Sequence, residues 1–160
     1  MRIIDWNPAD GDAYQGDVCL FKIPDDIEIS TADEIAPRDN RLILASGEVT
    51  GHHHAIYLKY TQVTHFHDEA LARDMIAAQA VAGTAKLYRD PKAVAELVSR
   101  GELTTPDLAV GFLIIEGGPV VVSHDEHDGI RVLCAPAQRV RCYVGGQREW
   151  DAAATRRVAD

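Results

Sequence analysis

The chain has 160 residues, 46% of them apolar and 26% charged, with a net charge of −9. That length and balance suit one globular domain of residues 1–160, able to bury a core without disulfide or metal staples. The acidic surface repels phosphate backbones, which disfavours duplex DNA or RNA as a main partner. No apolar run approaches the length needed to cross a bilayer, so no membrane association is expected.

In chain order, the first strand signal is GDVCLFKI, where Val18 and Leu20 alternate with Cys19 and Phe21 until Pro24 ends the run. The polar stretch DDIEISTADEIAPRDN reads as a loop. RLILASGEVT resumes strand character, and HHHAIYLKY continues it after Gly51. The style changes at Asp68. DEALARDMIAAQAVAG offers Asp68 as a cap, repeats apolar residues at Leu71, Met75, Ala78 and Ala82, and stops at Gly83. A second helix follows in DPKAVAELVSRG, with Asp90 as cap, Pro91 at the first helical position and Gly101 as the stop. From Leu108 onward LAVGFLII, VVVSH, GIRVLCA and RVRCYV are short strands separated by Gly or Pro turns. The expected fold class is α+β: mainly an antiparallel β-sandwich or barrel, with residues 68–101 as a two-helix insertion packed on one side.

Cys19, Cys134 and Cys142 are odd in number, widely spaced and outside any CxxC pair, which suits a reducing compartment and a cytoplasmic setting. Cys142 alternates with Val140 and Val144 and is read as a core thiol.

The histidines carry the strongest signal. Five of the seven lie between His52 and His67, and the other two are His124 and His127 in SHDEHDGI. On a strand, His52 and His54 share a face with Ile56 and Leu58, so two imidazoles face an apolar interior that must satisfy their nitrogens. Val120, Val122 and His124 share a face in the same way, and a turn can return His127 beside His124. A divalent metal is one solution, zinc first among them, with His52, His54, His124 and His127 as candidate ligands. Asp125 or Glu126 would then serve as a further ligand or as the carboxylate that orients a ring. Hydrogen bonds to carbonyls or carboxylates are the other solution. His53, His65 and His67 are read as ordinary residues without a role in the site.

An HxH pair on a strand is cupin-like as architecture, although Leu58 and Lys59 stand where a cupin places a glutamate. The chain more closely resembles a group of small bacterial and phage proteins through GDV at Gly16 to Val18, GEVTGHxH at Gly47 to His54, and HxEHxPI at His124 to Ile130. QREY, here ending in Trp150, and a terminal RxVxD at Arg156 to Asp160 complete the likeness. Asp128 and Gly129 depart from the pattern. The resemblance implies the same four histidines, no established activity, and a phage or mobile-element setting in which the protein would belong to a virion, a homo-oligomer or a larger assembly. Two functions follow as expectations: a non-enzymatic β-rich structural or binding module, or a small cupin-like metalloenzyme in which Glu126 or Asp125 acts as base.

Overall fold

The computed structural model of the chain describes residues 2–46, 52–58, 69–150 and 155–157. The protein is an α+β sandwich. Among these residues one five-stranded sheet, sheet A, has the order β1-β9-β8-β5-β4, and a second, sheet B, has the order β2-β3-β10-β7-β6. Sheet A comprises β1 (Ile3–Trp6), β4 (Arg41–Ser46), β5 (His53–Tyr57), β8 (Val120–Ser123) and β9 (Gly129–Val132). Sheet B comprises β2 (Ala13–Gln15), β3 (Val18–Lys22), β6 (Thr84–Tyr88), β7 (Ala109–Glu116) and β10 (Arg139–Gly146). All pairings within the two sheets are antiparallel except β1 with β9, which is parallel. A short hairpin of β11 (Arg148–Trp150) and β12 (Thr155–Arg157) follows.

The core lies between the sheets. Val18 and Leu20 on β3, Leu42 and Leu44 on β4, Leu87 on β6, Leu113 and Ile115 on β7, Val122 on β8 and Val144 on β10 are all buried in it. These are the inward positions of period-two alternation, and on β7, β8 and β10 the outward positions are largely buried too, Phe112, Val121 and Tyr143 among them. Cys142 is fully buried here, and burial pushes its thiol up to about 12.

Residues 68–101 carry the two expected helices, α1 (Glu69–Ala80) and α2 (Pro91–Ser99), with β6 between them. TAKLY alternates Ala85 and Leu87 inward with Thr84 and Lys86 outward, and it pairs with β7 as the edge of sheet B. The helices therefore sit on opposite outer faces and not on one side. Met75 and Ala78 of α1 pack on Val121 of sheet A, while Ala93 and Leu97 of α2 pack with Phe112 and Tyr143 of sheet B. A helix–strand–helix order achieves this because the strand carries the chain from one side of the sandwich to the other. The start of α2 follows its sequence signals: the Asp90 carboxylate accepts the amide hydrogens of Lys92 and Ala93, Pro91 takes the first helical position, and Gly101 at φ +74° ends the helix. The expected cap Asp68 lies outside the described residues.

Candidate functional site

The site begins at a turn. Gln15 ends β2 and Val18 begins β3, so Gly16 and Asp17 form a two-residue hairpin loop, with Gly16 at φ +52°. Such loops match the twist of their strands only when a central residue takes a positive φ, which glycine does without strain. The turn places the Asp17 carboxylate at the end of sheet B, against sheet A. Across that gap stands His54 on β5, 0% exposed.

Both ring nitrogens of His54 are engaged. Nε2 is 2.8 Å from Asp17 Oδ1, and Nδ1 is 3.0 Å from Gln15 Oε1. The orientation of the Gln15 amide follows from its other end, where Nε2 donates to the carbonyl oxygens of Asp128 at 2.6 Å and Val122 at 3.3 Å. Carbonyls only accept, so the amide oxygen must be the atom facing His54. Nδ1 of His54 therefore carries a hydrogen. The 2.8 Å approach of Nε2 to Asp17 Oδ1 is an ion-pair contact, charged when the ring carries a second proton. The network joins β2 and its turn in sheet B to β5 and β8 in sheet A.

The other three histidines expected from spacing gather on the same ring. His124, also buried, stacks on His54 with centroids 4.2 Å apart and planes at 25°. His127 stacks on His124 at 4.5 Å and 28°, and lies 5.9 Å from His54. His52 approaches His124 edge-on at 5.8 Å and 80°, with its Nδ1 3.6 Å from Glu126 Oε2. The bend after β8 is held by His124 itself, whose Nδ1 accepts the amide hydrogen of Glu126 at 3.1 Å. Of the four, His54 lies on β5, while His52, His124 and His127 lie just outside β5 and β8.

His54, His124 and His127 form a stack, with His52 edge-on beside it. Ligands to a metal aim their nitrogen lone pairs at one point about 2 Å away, whereas near-parallel rings carry their nitrogens side by side. Among the described residues no group of three or more His, Cys, Asp or Glu side chains is arranged to hold a metal ion. His53 is partly buried on β5; His65 and His67 lie outside the described residues.

Gln15 and Asp17 were not picked out by sequence reasoning. The available signal was AYQGDVCL, alternating residues on both sides of a Gly-Asp pair, which is a hairpin signature. Gln147, from another of the segments that carry the resemblance, also meets the turn. Gln147 donates its backbone N–H to Asp17 O at 2.8 Å and its side-chain amide to Gly16 O at 3.0 Å, fastening the turn from outside. The side chains of Arg148, Glu149 and Trp150 are not among those described.

Comparison with known proteins adds one likeness. Residues 14–90 match a family model described as a domain of unknown function, DUF8820. The match spans a little under half of the chain and includes Gln15, Asp17, His52 and His54, while His124 and His127 fall beyond it. No curated protein and no solved structure matches the chain. Among the described residues, no helix is long and apolar enough to cross a membrane.

Proposed function

We propose that the chain is a non-enzymatic β-sandwich module, a structural or binding part of a larger protein assembly, in which the histidine cluster acts as a polar clasp between the sheets. The observation that carries this reading is the double engagement of His54 by Gln15 and Asp17. A buried ring with both nitrogens occupied has neither a lone pair for a substrate nor one for a metal, and its contribution is cohesion. The thiols support the same reading. Burial pushes Cys19 up to about 11 and Cys142 up to about 12, which keeps both protonated and unreactive near neutrality. The resemblance to phage proteins supports the assembly setting, with a virion as one possible home.

A second reading is favoured by the gathering of His52, His54, His124 and His127 on one another. In it the four rings turn to hold a divalent metal, zinc first among the candidates, and Glu126 or Asp125 supplies a base for a small metalloenzyme. That state requires His54 to release Asp17.

Melting curves of wild type and His54→Ala, each with chelator and with added zinc, separate the two. For a clasp, His54→Ala costs about 3 kcal/mol, because it removes the buried ring on which Gln15 and Asp17 converge and opens a void between the sheets. In a domain of this size that is a fall of roughly 10 °C. Chelator and zinc then leave the wild-type curve in place. A melting temperature raised by zinc and lowered by chelator supports the metal reading instead. Superimposable curves for the two proteins would remove the clasp.

A further inference from the structure

A second polar feature lies on the outer face of sheet B, away from the histidines. Tyr143 on β10 is 2% exposed, with its ring stacked on Phe21 of β3 at 4.7 Å and meeting Phe112 of β7 edge-on at 6.1 Å. Two residues along the same face is Gly145, where a Cβ would run into the Tyr143 hydroxyl. The missing side chain makes room for the phenol to lie along the strand. Its hydroxyl is thereby directed to the end where Gly146 and Gln147 line a cleft of about 400 Å³. That oxygen is buried and has no hydrogen-bond partner among the described residues. A buried hydroxyl left so is costly, by about 1–3 kcal/mol, and marks a place where a partner is due.

The rest of the lining states the partner's chemistry. Asp12 and Glu102 present exposed carboxylates on the rim. The Gln147 amide nitrogen is committed to Gly16 O and Val18 O, so the group can offer a ligand only its carbonyl oxygen. Tyr14 stands at the mouth, 58% exposed, its hydroxyl tied to Asp12 at 3.2 Å. Lys22, the cation of the lining, is paired with Asp25 at 3.5 Å. The cleft is thus rich in acceptors, negative in field, and floored by aromatic rings. Asp12 adds to burial in raising the Cys19 thiol, as a neighbouring carboxylate does.

We propose that this cleft binds a small organic cation, a primary amine or guanidinium on a short alkyl chain. The charged end meets Asp12 and Glu102, the aliphatic part lies against Tyr14 and Phe21, and an N–H reaches the Tyr143 oxygen. Cation–aromatic attraction and the acidic surface both favour such a ligand over a neutral or anionic one.

Titration calorimetry of the whole chain with agmatine at low salt tests this, with glucose and inorganic phosphate as the competing chemistries. Saturable agmatine binding is expected. It should weaken about tenfold in the Asp12→Asn, Glu102→Gln double variant, the loss expected for charge-assisted contacts. Both carboxylates are on the surface, so the variant's melting temperature should stay near wild type and certify its fold. Tyr143→Phe should weaken binding several-fold while keeping the ring stack. No saturable agmatine binding, unchanged affinity in the double variant, or binding of glucose or phosphate in its place would overturn the proposal.

Discussion

His54 and Tyr143 are buried to nearly the same degree, yet their polar atoms are treated in opposite ways. Between the sheets, each nitrogen of His54 meets an oxygen from the other half of the sandwich. On the outer face of sheet B, the Tyr143 hydroxyl has no partner among the described residues. The difference teaches how to read a buried polar group. One whose bonds close on the protein itself contributes cohesion and specifies the packing, whereas one left open marks a place for something else.

The largest effects expected from this contrast are at the closed site. Asp17→Ala should cost about 3 kcal/mol, since it removes the carboxylate 2.8 Å from the buried Nε2 of His54, and a double-mutant cycle with His54→Ala should return a coupling of about 2 kcal/mol. Urea midpoints measure both, and simple additivity would show that the two groups act separately. Gln15→Leu should follow at about 2 kcal/mol, because it orphans Nδ1 of His54 and the carbonyls of Val122 and Asp128 together. A midpoint within experimental error of wild type would show that the amide is dispensable.

A third test uses pH. The folded chain holds its Cys142 proton to about 12 and its Cys19 proton to about 11, whereas a thiol in the unfolded chain titrates near 9. Above that value the folded state binds more protons than the unfolded, so these groups make stability fall as pH rises beyond about 9 and contribute nothing below. The slope should approach 1.4 kcal/mol per pH unit for a fully buried thiol such as Cys142, and Cys142→Val should flatten it. Urea midpoints between pH 8 and 10.5 that fall equally in both proteins would assign the effect elsewhere. The smallest change is expected at the open site. Tyr143→Phe removes a buried hydroxyl with no partner among the described residues, so stability of the unliganded protein should hold or rise by about 1 kcal/mol. A loss above 1 kcal/mol would reveal a bond to the protein and erase the contrast.

Much of the closed site was legible in the sequence. Alternation on HHHAIY and VVVSH needs only local geometry, and it set His54 and His124 facing the interior, with a turn to return His127. Gln15 and Asp17 were not legible, because their role depends on which strand end lies opposite His54, a relation between residues 37 and 39 positions apart. Locally Asp17 is a turn residue like many others. β6 escaped notice for a different reason. Five residues of period two between two well-capped helices are too short to stand out, although Gly83 and Asp90 bound them. Tyr143 was hidden by its strand: in RVRCYV it is one more large residue, and only the empty face of Gly145 shows where its hydroxyl goes.

The parallel pairing of β1 with β9 bears on how the molecule is built in time. Ile3 lies beside Gly129 and Trp6 beside Val132, so β1 pairs with a strand 126 positions later in the sequence. The closed site waits with it, because Gln15 donates to Asp128 O at the threshold of β9. Pairings this distant in sequence carry the loop-closure penalty that slows β-rich domains to roughly milliseconds to seconds. Docking of β1 and closing of the hydrogen-bonded clasp are therefore expected to be one joint event, because Gln15 reaches β5 and the start of β9 together.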